Sequence, residues 1–304
     1  MLRPGRVVTL ERMKTKQTTS CSWSGALARA GVIGCLALVG ASGQATAATG
    51  PHLTHETTPE SVRPEVTFVA GNAAMDLPDE VPSGYVDIRI RAVDGEAHLA
   101  LGRIADGTSR EEFDAANPFE RIAMLDVRGG NGTVSPGADV LLTLLLEPGE
   151  WVAVNIYYDG GAVPQFAFDQ FTVVESDNDA PAPTDRGTIV IGPAMRIDVP
   201  DDFDAVGTWK FENHDDVLNH EAALVGLTDG STTEDLMGWY ADQSGPPPIR
   251  GEFGSMGALG PGHEGWVTFA EGALEPGPYS LICWVPGDDG TPHLMNGMFE
   301  DLTI

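Results

Sequence analysis

The chain repeats the order of its own landmarks, and that repetition limits the folds open to it. Asp106-Gly-Thr-Ser-Arg-Glu111 returns as Asp229-Gly-Ser-Thr-Thr-Glu234, each followed by an apolar residue in a helical setting. Pro136-Gly137 ahead of a strand returns as Pro261-Gly262, and Leu146-Glu-Pro-Gly149-Glu-Trp151 returns as Leu274-Glu-Pro-Gly277-Pro-Tyr279. A period of more than a hundred residues is too long for a solenoid unit and implies two domains of one kind. The length of 304 residues allows the same number.

Each copy reads as all-β. In the first, Val66-Thr-Phe-Val69, Tyr85-Val-Asp-Ile-Arg-Ile-Arg91, Val140-Leu-Leu-Thr-Leu-Leu-Leu146 and Trp151-Val-Ala-Val-Asn-Ile-Tyr157 are apolar or alternating runs separated by Gly and Pro clusters. That pattern predicts an antiparallel sandwich. One short helical insertion is expected at residues 108–113, where hydroxyl and acid stand at capping-box spacing. Residues 176–187 are acidic, carry proline and are poor in apolar side chains, as a linker is. The expected divisions are a leader at 1–47, a polar segment at 48–64, a first domain at 65–175, the linker at 176–187 and a second domain at 188–304.

The leader reads as a secretory signal peptide. Arg12, Lys14 and Lys16 precede an apolar stretch from Ala30 to Gly40, and Ala45-Thr-Ala47 offers a small-residue cleavage site. A lipoprotein is the weaker alternative: Val32-Ile-Gly-Cys35 resembles a lipobox, yet the apolar run continues through Leu36, Leu38 and Val39. A secreted, periplasmic or cell-surface location follows from either reading. Cleavage after Ala47 would remove Cys21 and Cys35 and leave Cys283 as the only cysteine, so no intramolecular disulfide could form in an exported chain. It would also leave 11 basic residues against 44 acidic ones, a formal −33, with Lys210 as the only lysine. Such a surface repels nucleic acid and anionic lipid, and neither is an expected partner. No transmembrane segment is expected in the mature chain.

A lone exported thiol needs a reason, and its neighbours supply one. Cys283-Trp-Val-Pro-Gly-Asp-Asp-Gly-Thr-Pro-His293-Leu-Met295-Asn-Gly-Met298 places a thiol, an imidazole and a thioether in one turn-rich connection. Alternation puts Cys283 on one face of a strand, and residues 286–290 then force a loop that brings His293 and Met298 back toward the sulfur. His220 opens a second apolar strand after a polar turn and is the best candidate for a fourth ligand. Two His, one Cys and a weak axial Met form the set that selects copper in blue sites. Met295, two residues after His293, is an alternative source of the thioether. Taken singly, Cys283 and Met298 would be ordinary core residues and His220 a turn residue.

These residues resemble the cupredoxins, the plastocyanin and azurin superfamily, over roughly residues 188–304. The likeness lies in the early His at a strand entrance, the Leu274-Glu-Pro-Gly277-Pro-Tyr279 lead into Cys283, and His293 followed by Gly297-Met298. It implies two cupredoxin-like Greek-key β-sandwich domains with short helical insertions. It also implies one copper ion per chain held by His220, Cys283, His293 and Met298, in electron transfer or copper carriage with a redox or copper-exchange protein as partner. The Cys-to-His interval is longer than in plastocyanin or azurin and is similar to that of copper nitrite reductases. The first copy looks degenerate: a gapless register sets Asn155 against Cys283, Gln165 against His293 and Gln170 against Met298, and His98 falls one residue from the place of His220.

Other functions have thinner support. A multicopper oxidase needs further clustered histidines, and outside the set above the region after residue 47 offers His52, His55, His98, His214 and His263 without a His-Cys-His run. His52 and His55 read as incidental, His214 and His263 as solvated loop residues. No Gly-x-Ser-x-Gly elbow, His-Glu-x-x-His pair or phosphate loop in strand-helix context is present. The competing class is a metal-free pair of sandwiches that binds a partner or the cell surface and keeps Cys283 as a buried, unreactive thiol.

Overall fold

Tyr85 to Arg91 alternates so that Val86, Ile88 and Ile90 are buried while Arg91 is exposed, the pattern of a strand with one face on a core. The computed structural model describes residues 63–72, 74–157, 164–242, 244–287 and 289–304. The leader readings, Cys35, His52 and His55 lie outside the described residues.

The first copy runs β1 (Glu65–Ala70), β2 (Met75–Asp76), β3 (Glu80–Pro82), β4 (Gly84–Ala92), β5 (Leu99–Ile104), α1 (Arg110–Ala115), α2 (Pro118–Ala123), β6 (Leu125–Gly130), β7 (Asp139–Leu146), β8 (Gly149–Tyr157) and β9 (Gln165–Val174). The second runs β10 (Thr188–Gly192), β11 (Arg196–Asp198), β12 (Gly207–Asn213), β13 (His220–Leu227), α3 (Thr233–Asp242), β14 (Ile249–Leu259), β15 (Glu264–Phe269), β16 (Pro278–Ile282) and β17 (Phe299–Thr303). Both insertions fall between equivalent strands. In the first copy Ser109 and Glu112 form the capping box that the sequence predicts, and a second helix follows, capped by Asn117 and Glu120.

Each copy is a sandwich, and the two are fused through one sheet. The order β11-β10-β12-β15-β7-β4-β1-β2 makes an eight-stranded layer to which both copies contribute. Across the core from it lie β14-β13-β16-β17 in the second copy and β3-β9-β8-β5-β6 in the first. The duplication is visible in the pairing: β1 runs parallel to β4, with Glu65 opposite Asp87, and β10 runs parallel to β12, with Thr188 opposite Lys210, the same separation in chain.

The seam between the copies is two-fold in character. Val267 of β15 pairs with Leu142 of β7, its own counterpart once Pro136-Gly137 is set on Pro261-Gly262. On either side Trp266 faces Thr143 and Thr268 faces Leu141, so each contact recurs with the roles exchanged, as in an isologous dimer. Asn131 and Met256, equivalent by strand register, also bridge to each other. One apolar core runs through both copies, from Phe68 and Ile88 to Trp209, Leu281, Cys283 and Met298.

Residues 176–187 have no regular structure, yet they are tied down. Asn178 donates to the carbonyls of Ser83 and Tyr85, and Trp266 Nε1 donates to Asp185. Polar side chains here bond the sheet, which composition alone does not reveal.

All eight residues of β13 are buried. Its inner face lies on the core. Its outer side is covered by α3, whose Leu236 packs with Val225, Leu227 and Leu294, and Met237, Trp239 and Trp284 flank that cluster. The continuous apolar run after His220 has this cause. Burying each such Val or Leu contributes about 1.5–3 kcal/mol.

Candidate metal centre

His220, the first residue of β13, and Cys283, directly after β16, enter the site from strands that pair with each other. His293 arrives on a single 3-10 turn, His293–Asn296. Its return path is fixed by backbone bonds: His293 N donates to Val285 O at 3.0 Å, and Leu294 N to Cys283 O at 2.8 Å. Gly297, at φ 90°, ends that turn in the left-handed region, where a side chain would be strained. The chain then reverses: Met298 N donates to His293 O at 3.1 Å and Cys283 N to Met298 O at 3.2 Å.

The ligand atoms of His220, Cys283 and His293 lie within 4.8 Å of one another. Nδ1 of His220 is 3.0 Å from Nδ1 of His293, and Cys283 Sγ is 3.5 Å from that same His293 nitrogen. His220 and Cys283 are fully buried and His293 is 1% exposed. Met298 is fully buried in the core that holds Cys283, while Met295 is only half-buried.

The electrostatics explain why such a pocket suits a cation. Burial lowers His220, against the pull of Asp215, and lowers His293 to about 4, aided by the facing His220. Both shifts favour the neutral imidazole, the form that ligates a metal. Burial pushes the Cys283 thiol up, and Glu221 pushes it further. His293 Nε2 is buried without a hydrogen-bond partner. If the His293 proton sits on Nδ1, that orphan is a bare lone pair; if it sits on Nε2 while His220 keeps its own proton on Nε2 toward Asp215, two lone pairs confront each other at 3.0 Å. A metal between the Nδ1 atoms removes the second conflict, so the donor set fits copper.

Sequence reasoning missed three neighbours of the site. Asp215 Oδ2 is 3.3 Å from His220 Nε2, and its Oδ1 accepts from Val217 N and Leu218 N at 2.8 and 2.9 Å. Burial works against the Asp215 charge, but those bonds and His220 hold its carboxyl below the usual range. Glu221 donates its backbone N–H to Cys283 Sγ at 3.4 Å and accepts from Trp284 N at 2.7 Å. His98, of the first copy, stands 3.6 Å from Glu221. With 45 acids in the chain, no single Asp or Glu stood out; position beside His220 was the one usable signal.

His214 and His263 stay outside the site. His214 bonds to Glu212 at 2.7 Å and His263 to Asp126 at 2.9 Å, each with part of its ring exposed.

The first copy does not keep the loop that a gapless register gave it. Asn155 does take the place of Cys283, fully buried and donating to Gly71 O at 2.6 Å. Its partner across the sheet, however, is Ala167, in the place where Cys283 meets Met298. The connection is thus three residues shorter than in the second copy. Gln170 lies within β9, opposite Val152, and its Oε1 accepts from Arg110.

No protein-family model matches the chain, and no curated protein matches it. Among solved structures it is similar to auracyanin A, a blue copper protein of Chloroflexus aurantiacus, at 14% identity and TM-score 0.24, over 36% of this chain and 98% of that one. Dithionite-reduced auracyanin of Roseiflexus castenholzii is similar at 15% identity and TM-score 0.24, over 38% and 99%. A variant of the McoA multicopper oxidase of Aquifex aeolicus is similar at 12% and 0.25, over 79% and 66%. The case for a metal rests on the ligand geometry and not on these scores.

Proposed function

We propose that the second copy holds one copper ion between Nδ1 of His220, Sγ of Cys283 and Nδ1 of His293, with Met298 as weak axial ligand. The chain would serve electron transfer or copper carriage after export, with a redox or copper-exchange protein as partner. The observation that carries this reading is the convergence of two imidazole Nδ1 atoms and a thiol in a pocket where each residue is at most 1% exposed. A packing cysteine has no need of two imidazoles beside it, so a metal-free adhesion module accounts for less.

Bound copper supplies a one-electron couple. The chain's own residues enclose the ligand atoms, favour the neutral form of both rings and hold the sulfur between two strands. A closed donor set leaves no evident place for a substrate to coordinate, which favours outer-sphere transfer over catalysis at the metal. Full burial of Met298 supports it over Met295 as the axial residue. The signal-peptide pattern supports export. Among the described residues no helix is long and apolar enough to cross a membrane.

The test is anaerobic titration of the mature protein with copper(II), followed by visible absorption, with Cys283→Ser as control. An intense sulfur-to-copper band that saturates at one equivalent and vanishes in the control is expected. Absence of both band and tight binding would sink the electron-transfer reading.

A further inference from the structure

We propose that His98, from the copy that lacks the soft ligands, is a positioning residue for Cys283, acting through the Glu221 carboxylate. The inference rests on the copper reading above and assigns the first copy a part in that site.

Glu221 grips Cys283 at two points. Its backbone N–H is directed at Sγ at 3.4 Å, and its Oε1 accepts the N–H of Trp284, the peptide that follows the thiol, at 2.7 Å. A shift of this one side chain therefore moves the peptide carrying the sulfur. The carboxyl is 2% exposed and its second oxygen lies 3.6 Å from Nε2 of His98. At that distance the contact is electrostatic and not a direct hydrogen bond.

His98 is itself held on three sides. Its N–H donates to Asn155 Oδ1 at 3.4 Å, its carbonyl accepts from Ile156 N at 2.9 Å, and its Nδ1 lies 3.4 Å from Thr133 Oγ1. When the Thr133 hydroxyl donates to Nδ1 rather than to Glu252, the ring proton resides on Nε2, and that N–H faces Glu221. The other groups nearby are acids: Glu252 lies close enough to feel the like charge of both Glu221 and Glu96. His98 is the only positive dipole edge among the described contacts of this carboxyl other than Trp284 N–H.

Strand register shows why the first copy supplies it. Leu99 faces Asn155, and extending by one residue the register that sets Ala223 opposite Ile282 brings Ala222 to Cys283, which makes His98 the counterpart of Glu221. The two meet across the two-fold seam, where each position faces its own equivalent. Two acids there would repel; an acid and an imidazole attract. The asymmetry between the copies thus serves the site directly, since outer-shell contacts orient ligands and tune the metal.

Full mature protein carrying His98→Ala, His98→Leu or His98→Gln separates the outcomes. Leu fills the volume without an N–H, while Gln restores a donor. In the metal-free protein, the amide proton of Trp284 is expected to move upfield in Ala and Leu and to return toward wild type in Gln. With copper bound, Ala and Leu should shift the reduction potential and the sulfur-to-copper band and weaken copper binding by roughly 10-fold, with Gln closer to wild type. Unchanged Trp284 amide, potential and band in Leu would overturn the proposal, as would Gln behaving like Leu. A wild-type protein that binds no copper refutes the copper reading instead, and the amide shift then decides the positioning role alone. Should His98→Ala fail to fold, the Leu and Gln pair carries the comparison.

Discussion

Asp215 Oδ2 meets His220 on Nε2, the ring nitrogen that does not face His293, at 3.3 Å. A carboxylate there draws the ring proton to Nε2 and leaves the Nδ1 lone pair for a metal. Asp215→Asn keeps an oxygen for the N–H groups of Val217 and Leu218 but loses the charge. We expect it to weaken copper binding by about 10- to 100-fold with little change in metal-free stability. Isothermal titration with copper, alongside thermal unfolding of the metal-free protein, decides this; equal affinity would remove Asp215 from the site.

The two facing Nδ1 atoms make the pocket more comfortable with a cation than without. At copper activities about 1,000 times the dissociation constant, binding should stabilise the folded chain by about 4 kcal/mol. His293→Ala removes one ligand and the unpaired Nε2 together, so the variant should lose that copper-dependent increment. Thermal unfolding with and without copper, in wild type and variant, measures it. A copper-induced rise in Tm that survives His293→Ala would place the ion elsewhere.

Much of this was legible in the chain because local chemistry dictates it. The Cys283–Met298 connection declares itself through Pro, Gly and Asp turns, and the structure folds it by backbone bonds among the same residues. His220 was findable because a polar turn breaks an apolar pattern just ahead of it. What stayed hidden depends on pairings far apart in sequence. Nothing near Val267 says that its neighbour is Leu142, and nothing near His98 says that it faces Glu221. The gapless register failed between Tyr157 and Gln165 for a related reason, because a shorter connection leaves the flanking strands' patterns intact.

Glu252 offers a test of the buried acids that leaves the ligands alone. Burial pushes it up to about 8, and the nearby Glu96 and Glu221 add to the rise, while a bond from Thr133 opposes it. A raised carboxyl holds its proton in the folded chain after the unfolded chain has lost it, so stability falls as pH rises between about 4.5 and 8. Above that window the cost is fully present. Glu252→Gln removes it, and after allowance for the partial exposure of Glu252 we expect a gain on the order of 1–3 kcal/mol at pH 9 relative to pH 5. Urea unfolding of both proteins at the two pH values measures the difference. An equal effect at both would mean that the carboxyl titrates normally.

The seam predicts how the second copy behaves alone. Residues 188–304 without the first copy expose the β15 edge, which in the full chain pairs with β7 through Val267 and Leu142. An open edge of that kind is a template for another strand. Because Val267 already faces its own counterpart, a second β15 can take the place of β7 with Val267 opposite Val267, and Met256 can meet Met256 where it now meets Asn131. The isolated copy should therefore form a two-fold dimer, seen as a doubled mass in light scattering. Two Glu221 side chains would then meet where His98 and Glu221 now do, so Glu221→Gln should tighten the dimer. A folded, soluble monomer would show that the second copy does not need this edge covered, and that the shared sheet is a convenience of tethering rather than a requirement of the fold.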